Sequence, residues 1–533
     1  MASLAEPRSP GPSFRRYRAP KQNDQALVDP TDLAGLAEDN RQALATADLD
    51  FGGRSLAELS RSARGAVAAL AYQHTRAYCD LDAPTPGRII LSGHQPELFH
   101  AGVWFKNRVL DRVAKQTGAV GIHLLIDSDL CRSTALRVPV GPVDRPRWEM
   151  VPFDRVAESQ PYEERRVVDR DRFNRFGDGV VETLGGLVAD PLIASAWPAA
   201  CEAAESGRTI GESLSRARHL VERRWGGETL EVPFSSVCDT RPFQEAIAFL
   251  LGELDRVHAA YNASLAEYRV AHRLRSPAQP LPDLHRHDEW LEAPLWVWTA
   301  DDPSRRPLYA RRAGDELVLS DRGSAEWRLP VAADQTLADA VDRLAELRAA
   351  GVKVRPRALI TTLFARLLLG DLFLHGIGGA KYDQVTDGLC RRWLGVTPPP
   401  HATVTATLRL PIDHPRVDHD AERRLRLRLR ELLYHPERFL TAGSEQAAPL
   451  VEAKRAAIAT PRDRGAERHR AIVAANRGLY RFVANERQQA AAELELTRRR
   501  LSAAAVLDSR EYSFCLFPEQ DLRERFDTLL EPV

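Results

Sequence analysis

The chain of 533 residues is too long for one ordinary core, so two or three structural units on a shared body are expected. Lys+Arg and Asp+Glu each total 74, so no global field favours nucleic acid or an anionic membrane as a partner. The six cysteines are scattered without a CxxC pair, which argues against a zinc ribbon or a disulfide scaffold and points to a reducing, cytoplasmic compartment.

Residues 1–31 carry Arg15-Arg16 and several prolines but no apolar stretch, and read as a flexible tail, not a signal peptide. No apolar run reaches membrane-spanning length. Between about 32 and 80, Leu56 with Leu59 and Val67 with Leu70 and Ala71 recur at helical spacing, and Pro84 and Pro86 end the helices they predict. Arg88-Ile89-Ile90-Leu91 reads as a short buried strand. Val103 to Lys115 follows as a helix with Val103, Leu110, Val113 and Ala114 on one face, and Gly118 closes it. Ala119 to Ile126 is a second strand, so the unit is β-α-β with a parallel pair, and Asp127-Ser128-Asp129 sits at the strand's carboxyl end. These elements make 32–150 the first part of a core.

Residues 151–288 read as a mainly helical connecting region that includes the amphipathic run Ala246 to Arg269. Over 289–330, Trp296-Val297-Trp298, Leu308-Tyr309-Ala310 and Leu317-Val318-Leu319 alternate with turn signals and predict a small antiparallel meander. The core resumes over 331–417, from near Val354. There Asp371 to His375 is a strand running into a glycine-rich turn, and then a helix buries Tyr382, Val385, Leu389 and Trp393 before Gly395 ends it. Residues 418–506 are rich in Ala, Arg, Glu and Leu with breaks at Pro436 and Thr460-Pro461, which predicts a helical coiled-coil hairpin. Within it, Arg423 to Arg430 alternates arginine with leucine, which is poor helix patterning and suits a strand or an ion-paired face better than a nucleic-acid surface. Residues 507–533 return to the core, with Tyr512 to Phe517 as a last strand.

In an open parallel sheet, ligands collect beyond the carboxyl ends of the strands, where helix N-termini offer free N–H groups. Three loops end at that edge and are expected to share one pocket. The first brings Gly93, His94, Gln95, Glu97 and His100; the second Asp127 and Asp129; the third His375, Gly376, Gly378, Gly379 and Lys381. His94, Gln95, Asp127 and Asp129 have side chains suited to acid–base and polar work. Gly93, His375, Gly376, Gly378, Gly379 and Lys381 suit an anionic cofactor, because glycines let the backbone approach a phosphate and lysine adds charge. Each has a plainer alternative: a tight turn at Gly376–Gly379, a loop-capping His94, solvated or capping aspartates. A metal site of His94, His100, Asp127 and Asp129 has no supporting spacing, so no metal is assigned. Cys131 is expected as a buried thiol, and Trp104, Trp296 and Trp298 as core.

The segment Leu91-Ser92-Gly93-His94-Gln95-Pro96-Glu97-Leu98-Phe99 resembles the loop after the first strand in the bacillithiol synthase family of cysteine ligases, where a Gly-Gln-Gln-Pro-Gly-Leu-Phe type sequence is usual. Val354-Arg355-Pro356, Thr362-Leu363-Phe364 and Gly376-Ile377-Gly378-Gly379 are similar in order and spacing to further segments of that family. His94 stands where the family has glutamine, Glu97 where it has glycine, and Ala380-Lys381 where it has a glutamate-containing segment. The resemblance implies an α/β fold with a Rossmann-like parallel-sheet core and a coiled coil. It also implies a ligase or transferase that joins a cysteine-like amino acid to a small polar or anionic metabolite, with ATP or ADP as nucleotide. The partners expected are a small-molecule substrate and a second copy bound through the coiled coil. Two other readings stay open at this point: a non-catalytic sensor of a nucleotide-like ligand, and a HUP-class nucleotidyltransferase, of whose His-x-Gly-His loop only Gly93-His94 is present.

Overall fold

The computed structural model describes residues 14–84, 87–156, 158–323, 325–331, 337–441 and 444–533. They form two compact units: Met1–Val138, Met150–Arg409 and Arg510–Val533 in the first, Pro139–Glu149 and Leu410–Ser509 in the second.

The first unit is built on a six-stranded sheet of β1 (Gln25–Asp29), β2 (Ile89–His94), β3 (Val120–Leu125), β4 (Leu230–Pro233), β5 (Leu372–His375) and β6 (Ala402–Thr407). Their order is β1-β6-β5-β2-β3-β4. β1 runs antiparallel to β6 on the edge, and all other neighbours are parallel. The β-α-β unit read from the sequence is β2, the helix Ala101–Thr117 and β3, with Gly118 at φ 62 as the left-handed cap. Leu110, Val113 and Ala114 are buried on that helix while Val103 is half-buried. The helix lies close to β6: a Cβ on Gly102 would stand 2.0 Å from the Ala406 carbonyl oxygen, so only glycine fits there.

The opposite face is covered by Leu56–Arg76 and Ile377–Leu394. The first starts at a Ser55/Glu58 capping box, which satisfies two orphan N–H groups reciprocally. Leu56, Leu59, Val67 and Ala71 from it, and Val385, Leu389 and Trp393 from the second, share one apolar core with Ile89, Leu91, Ile122, Leu124 and Phe373. Tyr382, expected in that stripe, is 36 % exposed, because it falls in the first turns, before the helix has run under its neighbours. The helices that follow β2 and β5 thus lie on opposite faces of adjacent strands, the arrangement in which open α/β sheets place ligands at the carboxyl ends of such a pair.

Several elements differ from the sequence reading. Residues 25–29, read as tail, form β1, and Leu230–Pro233, read within a helical region, forms β4. Both are too short and too little alternating for periodicity to mark. The run from Ala246 to Arg269 is two helices, Arg241–Gly252 and Leu254–His272, meeting at Glu253. The antiparallel sheet orders Glu326–Pro330, Glu316–Ser320, Arg306–Ala313, Trp290–Thr299 and Val352–Pro356. Val354 therefore belongs to the meander rather than to the resumed core. Tyr512 to Phe517 is not a strand but a buried 3-10 turn at Phe514–Leu516, with Phe514 against Trp104 at 4.5 Å between ring centres. Its aromatic run fills a hole and does not pair in the sheet.

The second unit holds the C-terminal helical hairpin, with the helices His419–Tyr434, Ala448–Ala459, Gly465–Leu479 and Ala484–Leu507. Pro436 and Thr460-Pro461 interrupt it as expected, and a 3-10 turn at Tyr480–Val483 adds a further break. Arg423 to Arg430 is helical, not a strand: Asp418 caps it, Arg426 pairs with Glu422 at 2.7 Å, and solvated arginines are good helix formers. Leu432, Val483 and Ala490 form the small core where the outer helices meet. Among the described residues no helix is long and apolar enough to cross a membrane.

Candidate functional site

His94 is the last residue of β2. Its Nδ1 lies 3.0 Å from the Gln95 carbonyl oxygen. A carbonyl only accepts, so Nδ1 carries the proton and Nε2 keeps its lone pair. The ring meets Phe99 edge-on at 4.8 Å, and the side chain is 23 % exposed, enough for a ligand to touch it. Burial, with the positive charge of Lys106, brings the imidazole down to about 3, so it is neutral at pH 7.

Lys106 is the residue that sequence reading passed over. It is 1 % exposed, and its Nζ donates to the Gly93 carbonyl at 2.6 Å. Among the described residues no carboxylate lies within ion-pair distance of it, and burial brings the amine down to about 7. Its signal was present: Lys106 is three residues after Val103 and four before Leu110, on the stripe assigned to the core, where an unpaired charge has no structural use.

Gln95 donates to Asp129 Oδ2 at 2.9 Å, and Asp129 Oδ1 accepts from Arg305 at 2.8 Å. Burial pushes this carboxyl up, but the Gln95 hydrogen bond and the Arg305 charge outweigh it and hold Asp129 below the usual range. Glu97 moves the other way, raised by burial and by Asp129. Arg305 comes from the meander, and it and Arg357 flank Trp296 at 4.5 and 4.0 Å from the ring centre. That ring is half-buried and in contact with two cations, unlike the simple core residue expected. Asp127 turns instead to the short helix Phe234–Cys238 that follows β4: its carboxyl accepts the Ser235 N–H at 2.8 Å and the Ser235 hydroxyl. Burial and the neighbouring Glu163 push Asp127 up to about 7. Cys131 is buried and its thiol is raised by burial, as expected of an inert group.

His375 ends β5 and belongs to a second cluster. Its Nε2 lies 2.9 Å from Asp383 Oδ2, and His401 Nδ1 lies 3.3 Å from the same oxygen. The ligand atoms of these three residues fall within 4.8 Å of one another, a set that has room for a cation. Arg366 already neutralises Asp383 at 2.6 Å, which favours a buried ion-pair network over a metal. Gly376 is the N-cap and Gly378 and Gly379 lie in the first turn of the Ile377–Leu394 helix, so the expected loop is a helix start. Gly379 is required because a Cβ there would lie 2.5 Å from His375 Nδ1, while Gly376 and Gly378 leave open or nearly open space, and Lys381 is exposed.

The structure therefore brings His94, Gln95 and Asp129 together with Lys106 and Arg305, and His375 together with Gly379, Asp383 and His401. It does not merge the two sets into one pocket. Phe373 and His375 lie on one face of β5, with ring centres 4.5 Å apart, and the Cβ position of Gly93 points at the Phe373 ring from 3.4 Å. His94, the next residue, projects from the other face. β2 and β5 are neighbours, with Leu374 paired to Ser92, so the two clusters lie at the carboxyl ends of adjacent strands on opposite sides of the sheet.

The chain matches no family model and no curated protein.

Proposed function

We propose that the chain is a ligase or transferase similar to the bacillithiol synthase family, with a Rossmann-like core. It joins an amino-acid-like co-substrate to a small polar, anionic metabolite. The observation that carries this reading is the partly exposed His94 at the carboxyl end of β2 with the buried, carboxylate-free Lys106 bonded to the Gly93 carbonyl just behind it. His94 Nε2 accepts the proton of the attacking N–H or S–H group, and Gln95 and Asp129 fix the loop that presents it. His94 thus works as a proton acceptor through Nε2. An anionic substrate raises the proton affinity of both bases, so the site becomes basic when it is filled. The nucleotide implied by the resemblance, ATP or ADP, fits the helix start at Gly376–Gly379, where space beside Gly376 and Gly378 and the exposed Lys381 suit a phosphate. It would supply activation of the acid partner.

Exposed Leu427, Tyr434, Ile458, Val473 and Leu496 on the C-terminal helices support a homodimer through that unit. Incubation of the pure protein with ATP, cysteine and a panel of small polar, anionic acceptors, followed by mass spectrometry, tests the activity. A new condensation product with nucleotide consumed is expected, and intact reactants across an acceptor panel overturn the proposal.

A further inference from the structure

A cavity of about 310 Å³ opens at the carboxyl end of β4, between the end of the Leu56–Arg76 helix and the start of Ile210–Arg224. Its volume is at the small-metabolite end of ligand sites. Arg208 and Arg216 both line it. The Arg216 guanidinium lies over the Tyr78 ring at 5.2 Å and reaches the exposed Glu202 at 3.3 Å. Its Nε is buried and has no hydrogen-bond partner. With one exposed carboxylate as its side-chain partner, the guanidinium keeps donors that a bound anion would engage.

Glu212, the acid on this wall, is already engaged. It accepts the Thr209 N–H at 2.9 Å in a capping box and Arg208 at 3.2 Å. Each of the two guanidinium groups thus has one carboxylate partner, Glu212 for Arg208 and the exposed Glu202 for Arg216, and Glu212 is further committed to its capping box. Tyr78 adds a second requirement. His219 Nε2 lies 2.9 Å from the Thr229 carbonyl oxygen and must donate to it, so His219 Nδ1 is an acceptor and the Tyr78 hydroxyl, 2.9 Å away, donates to it. The phenol proton is thereby committed, so any contact of the Tyr78 oxygen with a ligand is as an acceptor. That oxygen suits a ligand O–H or N–H.

We infer that this cavity binds a small anion that also carries a hydroxyl or amino group, of the size of a phosphorylated or carboxylated amino acid or polyol. The inference rests on the β4 cavity alone and does not depend on the reaction proposed for the β2 edge.

Calorimetric titration of the full chain with O-phosphoserine, tartrate and inorganic phosphate tests it. Saturable binding of phosphoserine alone assigns a phosphate ligand, of tartrate alone a carboxylate, and either supports the inference. Arg216→Gln and Arg208→Gln are expected to weaken the bound probe by about 10- to 100-fold, as loss of a charge-assisted hydrogen bond does. Tyr78→Phe is expected to weaken the donor-bearing probe. Ala77→Trp fills the cavity from an exposed position, so it is expected to abolish binding with an unchanged melting temperature, and it decides the matter where an arginine variant fails to fold. His94→Ala is expected to bind as the wild type does. Failure of all three probes to bind the wild type, or binding that survives Ala77→Trp, overturns the inference.

Discussion

Replacing Lys106 with Met removes a buried ammonium and keeps an unbranched side chain that adapts to its surroundings. A fall of the amine from 10.5 to about 7 means that the fold disfavours the charged form by about 5 kcal/mol. The unfolded chain holds this proton more tightly than the folded one. Stability therefore rises with pH between about 7 and 10.5, and below pH 7 nearly the whole penalty stands. At pH 7 linkage gives a cost of about 4 kcal/mol, against about 1.5 kcal/mol for the hydrogen bond to Gly93, so Lys106→Met is expected to be stabilising by roughly 3 kcal/mol. Near pH 10 the cost falls below about 1 kcal/mol, and the variant loses its advantage. Urea midpoints of both proteins across pH 7 to about 10 read this directly. The chain has only six lysines, so selective ¹³Cε labelling resolves the titration of Lys106 by NMR. A Lys106 that titrates near the ordinary value, or a stability difference flat in pH, would refute the reasoning.

His94→Ala is expected to lower turnover by about 10²–10⁴-fold at an unchanged melting temperature, and His94→Gln by less where Nε2 serves only as a hydrogen-bond acceptor. Specific activity and melting temperature measured together decide this, and a fully active His94→Ala protein removes the residue from the site. Gly102→Ala is expected to lower the melting temperature sharply or abolish soluble protein, because its Cβ falls 2.0 Å from a backbone oxygen of β6. Gly65→Ala, in a helix with nothing within 4 Å of the new Cβ, is expected to be neutral or stabilising by about 0.5–1 kcal/mol. Equal melting curves for these two variants would show that the helix does not sit on β6 as described.

The β2-helix-β3 unit was legible because its signals are local: two continuous apolar runs, a helical stripe and a terminal glycine. β4 and β5 lie 107 and 249 residues further on, from Leu125 to Val232 and to Leu374, and only pairing in space makes them sheet neighbours. Nothing in a four-residue strand such as Leu230–Pro233 announces its partner. The site behaved likewise. Loop position placed His94, Gln95 and Asp129 correctly at one edge, but which face a side chain takes depends on strand parity, and parity put His375 on the other side from His94. Asp383, His401 and Arg366 were invisible as a set because they come from three separate segments. Lys106 was the exception, a charge on an apolar stripe that the sequence displayed and that a search for loop residues ignored.

Burial of neutral imidazoles sets how the first unit responds to acid. Burial brings His94 and His401 down to about 3, and His74 and His100 to about 4. The unfolded chain takes up these protons near the ordinary value of 6.5, so stability is lost as pH falls from 6.5 towards 4. At pH 5 each costs about 2 kcal/mol, and the four together about 8 kcal/mol. Asp127 works in the opposite sense. Its carboxyl is raised to about 7, so the fold gains on the unfolded chain as pH drops through that value, by about 2 kcal/mol between pH 7 and 5. The histidines win by about 6 kcal/mol, comparable with the whole stability of a typical domain, which is about 5–15 kcal/mol. Far-UV circular dichroism against pH is therefore expected to show cooperative loss of helix near pH 5 at 25 °C, beginning below 6.5. His401→Asn, which removes a buried ring with an unpartnered Nε2, is expected to shift that midpoint to lower pH. A chain that keeps its signal and its melting temperature down to pH 4 would show that these imidazoles are not held neutral by the fold.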